Sequence, residues 1–129
     1  MEDILIDTDV VIDYLRSRDK ASTALIKMID RFDVSISSIT EFELFLGART
    51  ERHINDLEML FNEMDVLPFD FGCGRIAASI WHDLESRHQH VEIKDIFIAS
   101  IAIRNDISLF TFNKKHFSAM PEVRILDDF

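Results

Sequence analysis

An apolar run broken by two acids, Ile4-Leu5-Ile6-Asp7-Thr8-Asp9-Val10-Val11-Ile12, constrains this chain more than any other stretch. Ile4 to Ile6 have the length and β-branched content of a buried strand. From Val10 onward the apolar residues Val11, Ile12, Tyr14 and Leu15 fit a helix, with Thr8 or Asp9 as its N-cap. Asp7 then sits just past the carboxyl end of a strand, where the backbone turns into a helix. In open parallel α/β sheets ligands bind along that edge, so an acid there is a candidate site residue.

The rest of the chain repeats the alternation. After a polar break from Arg16 to Lys20, the residues Ala21, Ala24, Leu25, Met28 and Ile29 recur on one helical face. Val34-Ser35-Ile36 reads as a short strand. Ser38-Ile39-Thr40-Glu41 has the spacing of a capping box and predicts a helix start, with Ile39, Phe42 and Leu46 as its apolar face and Gly47 allowing close approach near its end. A helix is predicted over Arg52 to Met64, with Ile54, Leu57, Phe61 and Met64 on one side, followed by a brief strand, Val66-Leu67, ended by Pro68. Ile76, Ala77, Ile80, Trp81 and Leu84 mark an amphipathic helix that frays into Ser86-Arg87-His88-Gln89-His90. Asp95 opens a stretch, Ile96 to Ile103, that is apolar nearly all round and reads as a buried helix. Ser108 to Thr111 and Val123 to Leu126 read as strands. Strands alternating with helices predict one α/β domain over residues 1–129, with a mainly parallel sheet of about four or five strands covered by helices on both faces.

Composition narrows the classes. With 129 residues, 3 glycines and 2 prolines, linkers and low-complexity tails are not expected, and there is no internal repeat. Ile96 to Ile103 is the longest charge-free apolar run and is far too short to span a bilayer. Acids at Glu2 and Asp3, with no basic segment before the first apolar stretch, predict no secretory signal. A single cysteine, Cys73, excludes an internal disulfide, and together these features predict a cytoplasmic protein. The formal net charge of −10 disfavours nucleic-acid binding through a broad basic face. It suits acids gathered around divalent cations, although most acids in any acidic protein serve solubility.

Four positions stand out. Asp7 follows a strand, and Asn113 follows the strand Leu109-Phe110-Thr111, which places both on one sheet edge. Glu43 lies four residues after Ile39 and three before Leu46, on the apolar face of its helix, where a carboxylate is expensive unless compensated. Asp95 opens the most apolar helix, where the helix dipole favours an anion. Each has a plainer role: Asp95 as an N-cap, Glu43 in solvent or paired with an arginine, Asn113 as a turn residue. Taken together, carboxylates directed at one edge repel each other unless cations hold them, and oxygen-rich sites select Mg²⁺ or Mn²⁺.

These segments carry a resemblance. Asp7-Thr8-Asp9 after an apolar strand, Glu43-Leu44-Phe45-Leu46-Gly47 after Ser37-Ser38-Ile39-Thr40, and Asp95-Ile96-Phe97-Ile98-Ala99 resemble three motifs of PIN domains. Thr111-Phe112-Asn113-Lys114-Lys115-His116-Phe117 resembles the fourth. In order and spacing they cover almost the whole chain, which is similar in length to a minimal PIN domain. Within that family it resembles the VapC-type toxins of prokaryotic toxin–antitoxin pairs.

The resemblance implies a metal-dependent endoribonuclease that uses Mg²⁺ or Mn²⁺. By position, Asp7, Glu43 and Asp95 would bind metal, and Asn113 would assist through a water or a weak metal contact. Asp9 stands where Asn or Ser is commoner and would be a secondary acceptor or an extra acid. The products would carry 5′-phosphate and 3′-hydroxyl ends. Lys94, Lys114, Lys115 and the Arg49/Arg52 pair are candidate phosphate contacts for the RNA substrate; the alternative for each is a solvated surface. The resemblance further implies a small VapB-type antitoxin whose arginine pairs with Asp7 or Asp95 and excludes metal. It also implies a homodimer, built on exposed apolar residues of the early helices.

Two other classes compete. The opening Asp-x-Asp is similar to the first motif of haloacid-dehalogenase-type phosphatases, with Asp7 as phosphoryl acceptor and Asp9 as general acid–base. The chain is short for that fold, no Gly-Asp dipeptide supplies a late metal motif, and Glu43 goes unexplained. A non-enzymatic interaction module is the other: an inactive PIN domain, or a receiver-like domain with Asp7 as phosphoacceptor and Lys114 as its lysine. His88, His90 and Glu92 read as a polar loop rather than a zinc site, and His116 as a packing or capping residue. Most of the 11 phenylalanines are expected in the core, as is Cys73.

Overall fold

Residues 1–127 are described here, from a computed structural model. Asp3–Ile6 forms β1, Asp33–Ser37 β2, Asp65–Leu67 β3 and Ser108–Phe110 β4. They make a four-stranded sheet ordered β3-β2-β1-β4, with every pair parallel. Ile6 stands level with Ile36 on one side and Phe110 on the other, so the inner strands β1 and β2 end together with β4. The chain steps outward from β1 through β2 to β3, then returns to add β4 on the opposite flank. Strand order therefore reverses between β1 and β4, the place where an open parallel sheet leaves a crevice.

Helices connect the strands: α1 Thr8–Arg16, α2 Ala24–Arg31, α3 Ser38–Gly47, α4 Glu51–Phe61, α5 Cys73–Ser86, α6 Ile93–Arg104 and the short α7 Lys114–Phe117. The two-residue alternation of a strand divides the apolar side chains between two layers. Ile4, Ile6, Val34 and Ile36 pack with Val10, Val11, Leu25, Met28, Leu57 and Leu60 from α1, α2 and α4. Leu5 and Leu109 point the other way, onto Cys73, Ala77, Ile80 and Leu84 of α5 and the buried α6. Among the described residues no helix is long and apolar enough to cross a membrane.

Several local expectations are corrected. The N-cap of α1 is Asp7, not Thr8 or Asp9: its carboxylate accepts from the Thr8 N–H at 2.8 Å. Ala21 falls in a separate 3-10 turn and is exposed, because Thr23, the N-cap of α2, breaks the periodic run. The N-cap of α3 is Ser37 rather than Ser38, its hydroxyl accepting from Thr40 N–H at 3.0 Å, while Ser38 Oγ accepts from Phe69 N–H. Phe42 and Leu46 are 62% and 63% exposed, whereas Thr40 and Leu44 are buried. The inward face of α3 is thus half polar, which hides it from an apolar periodicity. A Cβ on Gly47 would meet nothing within 4 Å, so no close approach requires that glycine. Trp81 is 43% exposed on α5, where Cys73, Ala77, Ile80 and Leu84 are the buried residues. α6 begins two residues before Asp95, with Glu92 as N-cap, so Asp95 lies in its first turn rather than at its start. Val123 to Leu126 forms no strand of its own; a single parallel bridge pairs Ile125 with Leu109.

Candidate active site

The ends of β1 and β4 are tied together, Asp7 N–H donating to Phe110 carbonyl at 3.0 Å. At this edge the Asp7 carboxylate is buried and both oxygens are engaged. Oδ1 accepts from Thr8 N–H at 2.8 Å and Oδ2 from the Thr111 hydroxyl at 2.7 Å. Thr111 Oγ1 in turn accepts from Asn113 N–H at 2.9 Å. Burial pushes the Asp7 carboxyl above its usual range, a shift that the Thr111 and Thr8 bonds oppose and the charge of Glu43 reinforces.

Asp9, in the first turn of α1, reaches across to the segment that follows β4, where Oδ2 accepts from Phe112 N–H at 3.2 Å. Its Oδ1 is buried with no hydrogen-bond partner among the described residues. Burial, and then the charge of Asp7, push the Asp9 carboxyl up to about 6. Asp95 arrives from α6, and burial and the Asp7 charge raise its carboxyl too, against the pull of Lys94 and His116. His116 Nδ1 of α7 stands 3.5 Å from Asp95 Oδ2.

Glu43 completes the set from α3, on the side that carries Thr40 and Leu44 rather than Phe42 and Leu46. Oε1 accepts from the Thr8 hydroxyl at 2.7 Å, and Oε2 lies 3.1 Å from Lys94 Nζ. The Glu43 hydrogen bond and charge hold the Lys94 ammonium above its ordinary value. The cost of inserting this carboxylate is therefore met by a hydroxyl and an ammonium rather than by exposure.

Asp7, Asp9, Glu43, Asp95 and Lys94 are thus brought together from three distant segments. Asn113 reaches the group through its backbone, its side chain being exposed. Lys114 is turned toward the C-terminal segment, Nζ donating to Asp127 carbonyl at 2.9 Å and lying 3.6 Å from its carboxylate. Lys115, Arg49 and Arg52 are exposed and have no ion-pair partner among the described residues. Thr8, Thr40, Thr111 and the His116 contact escaped the reading of the sequence. Thr40 had one usable signal: it precedes Glu43 by three residues and so shares its helical face.

The donor chemistry fits a hard divalent cation. Asp7, Asp9, Glu43 and Asp95 offer carboxylate oxygens, three of these carboxyls are raised by burial and mutual repulsion, and a buried Asp9 oxygen is unpartnered among the described residues. As the side chains stand, no three His, Cys, Asp or Glu among the described residues form a ready cage. Thr8, Lys94, Thr111 and His116 instead hold the acids in position. The loop carrying His88, His90 and Glu92 forms no such cluster either. A receiver-like site is disfavoured by Lys114, which pairs with Asp127 rather than Asp7.

A family model described as PIN domain matches residues 4–123. Ribonuclease VapC19 of Mycobacterium tuberculosis is 30% identical over 121 residues, covering 93% of this chain and 96% of the relative. The crystal structure of DNA-bound VapBC from Salmonella typhimurium is similar at 25% identity and a TM-score of 0.83, covering 98% of both chains. VapBC2 from Rickettsia felis, solved with a DNA fragment from its promoter, shares the fold at 20% identity and a TM-score of 0.85. Because the match runs from the first strand past the last helix and takes in each acid gathered at the β1–β4 edge, the chain belongs to the PIN-domain family.

Proposed function

We propose that this chain is a Mg²⁺- or Mn²⁺-dependent endoribonuclease and the toxin of a VapBC-type toxin–antitoxin pair. The observation that carries the reading is the convergence of Asp7, Glu43 and Asp95 at the strand-order reversal, with burial and repulsion lifting the Asp7 and Asp95 carboxyls. The ribonuclease name of VapC19 and the VapBC complexes among its structural neighbours support it.

Asp7, Glu43 and Asp95 would hold the cation, with Asp9 and Asn113 in secondary roles. A bound divalent cation supplies water activation and neutralises charge developing at phosphorus. Thr111 and the Thr8 N–H keep the Asp7 oxygens directed, and His116 and Lys94 oppose the repulsion around Asp95. Lys94, Lys114, Lys115 and Arg49 are the proposed phosphate contacts; Lys115 and Arg49 are free of ion pairs among the described residues, whereas Lys94 lies 3.1 Å from Glu43 and 3.9 Å from Glu92 and Lys114 pairs with Asp127. An antitoxin arginine would fit the same acidic edge. Phe42 and Leu46, exposed on α3, lie where self-association through an early helix is expected.

The test is cleavage of a total-RNA pool by purified, antitoxin-free protein with Mg²⁺ or Mn²⁺, beside EDTA and Asp7→Asn controls. Metal-dependent cutting that disappears in Asp7→Asn is the expected result. Folded protein that cuts with neither metal overturns the reading.

A further inference from the structure

The two oxygens of Glu43 have unlike partners, and the difference has a traceable origin. Oε1 accepts from Thr8 Oγ1 at 2.7 Å, which uses the single proton of that hydroxyl. Thr8 Oγ1 is also 2.8 Å from Thr40 Oγ1, so Thr40 must be the donor in that bond. Ser37 Oγ donates to Thr40 Oγ1 at 3.2 Å and itself accepts from Thr40 N–H at 3.0 Å. The hydroxyl protons therefore run in one direction: Ser37 to Thr40, Thr40 to Thr8, Thr8 to the Glu43 carboxylate. Ser37 and Thr40 are completely buried, so no water competes for the protons of these two hydroxyls.

We propose that Thr40 is a positioning residue: acting through Thr8, it holds Oε1 of Glu43 and thereby presents Oε2 to a divalent cation. The position of Lys94 supports the assignment, because the ammonium that the structure places on Glu43 lies on Oε2 at 3.1 Å and not on Oε1. The inference rests on Glu43 being a cation ligand, as argued under Proposed function. Thr40→Val keeps the shape of the side chain but removes the donor. Thr8 Oγ1 is left without its incoming bond, so the hydroxyl that meets Glu43 Oε1 is no longer anchored from the Thr40 side.

The experiment is calorimetric titration of Mn²⁺ into metal-stripped protein, for wild type, Thr40→Val, Thr40→Ser, Glu43→Gln and the Thr40→Val/Glu43→Gln double variant, with thermal melts of each. Thr40→Val should weaken Mn²⁺ binding about tenfold, the lower end for a group that orients a metal ligand. Thr40→Ser should restore it, and Thr40→Val should add nothing once Glu43 is Gln. Equal weakening by Thr40→Val in both backgrounds, or unchanged affinity with only a lowered melting temperature, overturns the positioning role while leaving the metal site intact. Wild-type protein that binds no Mn²⁺ overturns both this inference and the function it rests on. If Thr40→Val does not fold, Thr40→Ala carries the same cycle.

Discussion

Asp9 is an acid half-buried beside a second acid, Asp7, and its environment makes its charge measurable. Burial and the Asp7 charge hold its carboxyl up at about 6, against an ordinary 3.8. Between those pH values the folded protein retains a proton that the unfolded chain has released. Asp9 therefore favours the fold in acid, and that contribution is lost as pH rises through about 6. Asp9→Asn keeps an acceptor for Phe112 N–H without the charge. In metal-free protein the variant should be more stable than wild type at pH 7.5, by about 1 kcal/mol after allowance for screening. The gap should close by pH 4, as read by urea denaturation across that range. At the same scale, the place of Asp7 at the sheet edge was legible because an apolar run that ends in an acid marks the carboxyl end of a strand. Thr111 was not, since a hydroxyl at a strand end has many roles and only its 2.7 Å bond to Asp7 selects one.

At the scale of elements, α3 carries the sharpest lesson. Its apolar residues at 39, 42 and 46 share a helical stripe, yet Phe42 and Leu46 face outward and Leu44 is 6% exposed. The helix is turned so that Thr40 and Glu43 meet Thr8, because buried polar groups must find partners while exposed apolar ones need not. Leu44→Ala should therefore destabilise by about 2–5 kcal/mol, and Phe42→Ser by no more than about 0.5 kcal/mol, in denaturant melts. The reverse ranking would restore the stripe to the core. α6 is apolar nearly all round, so its burial follows from composition whatever its rotation. Its start is hidden in the sequence because Ile93 and Lys94, one exposed and one charged, precede the apolar run and give no periodic signal.

For the whole molecule, the acidic edge links stability to metal. An ion that binds only the folded chain stabilises it by mass action, about 2.7 kcal/mol at a hundredfold excess over Kd. Mn²⁺ should accordingly raise the melting temperature of the stripped protein, EDTA should reverse the rise, and Asp7→Asn should abolish it. A rise of equal size in Asp7→Asn would place the ion elsewhere. The site occupies the one edge where strand order reverses, between β1 and β4, and it takes all three connections of the sheet to fill it.

The sequence by itself determined the alternation of strands and helices, the parallel sheet, and the acids that lie at the ends of its elements. These follow from local periodicity and from chemistry carried along a few residues. Only the tertiary structure decided which face of α3 turns inward, which Glu43 oxygen meets Lys94, and that Lys114 pairs with Asp127. Those are matters of which polar groups can satisfy one another across packed elements, and partners as far apart as Asp7 and Thr111 leave no trace in local pattern.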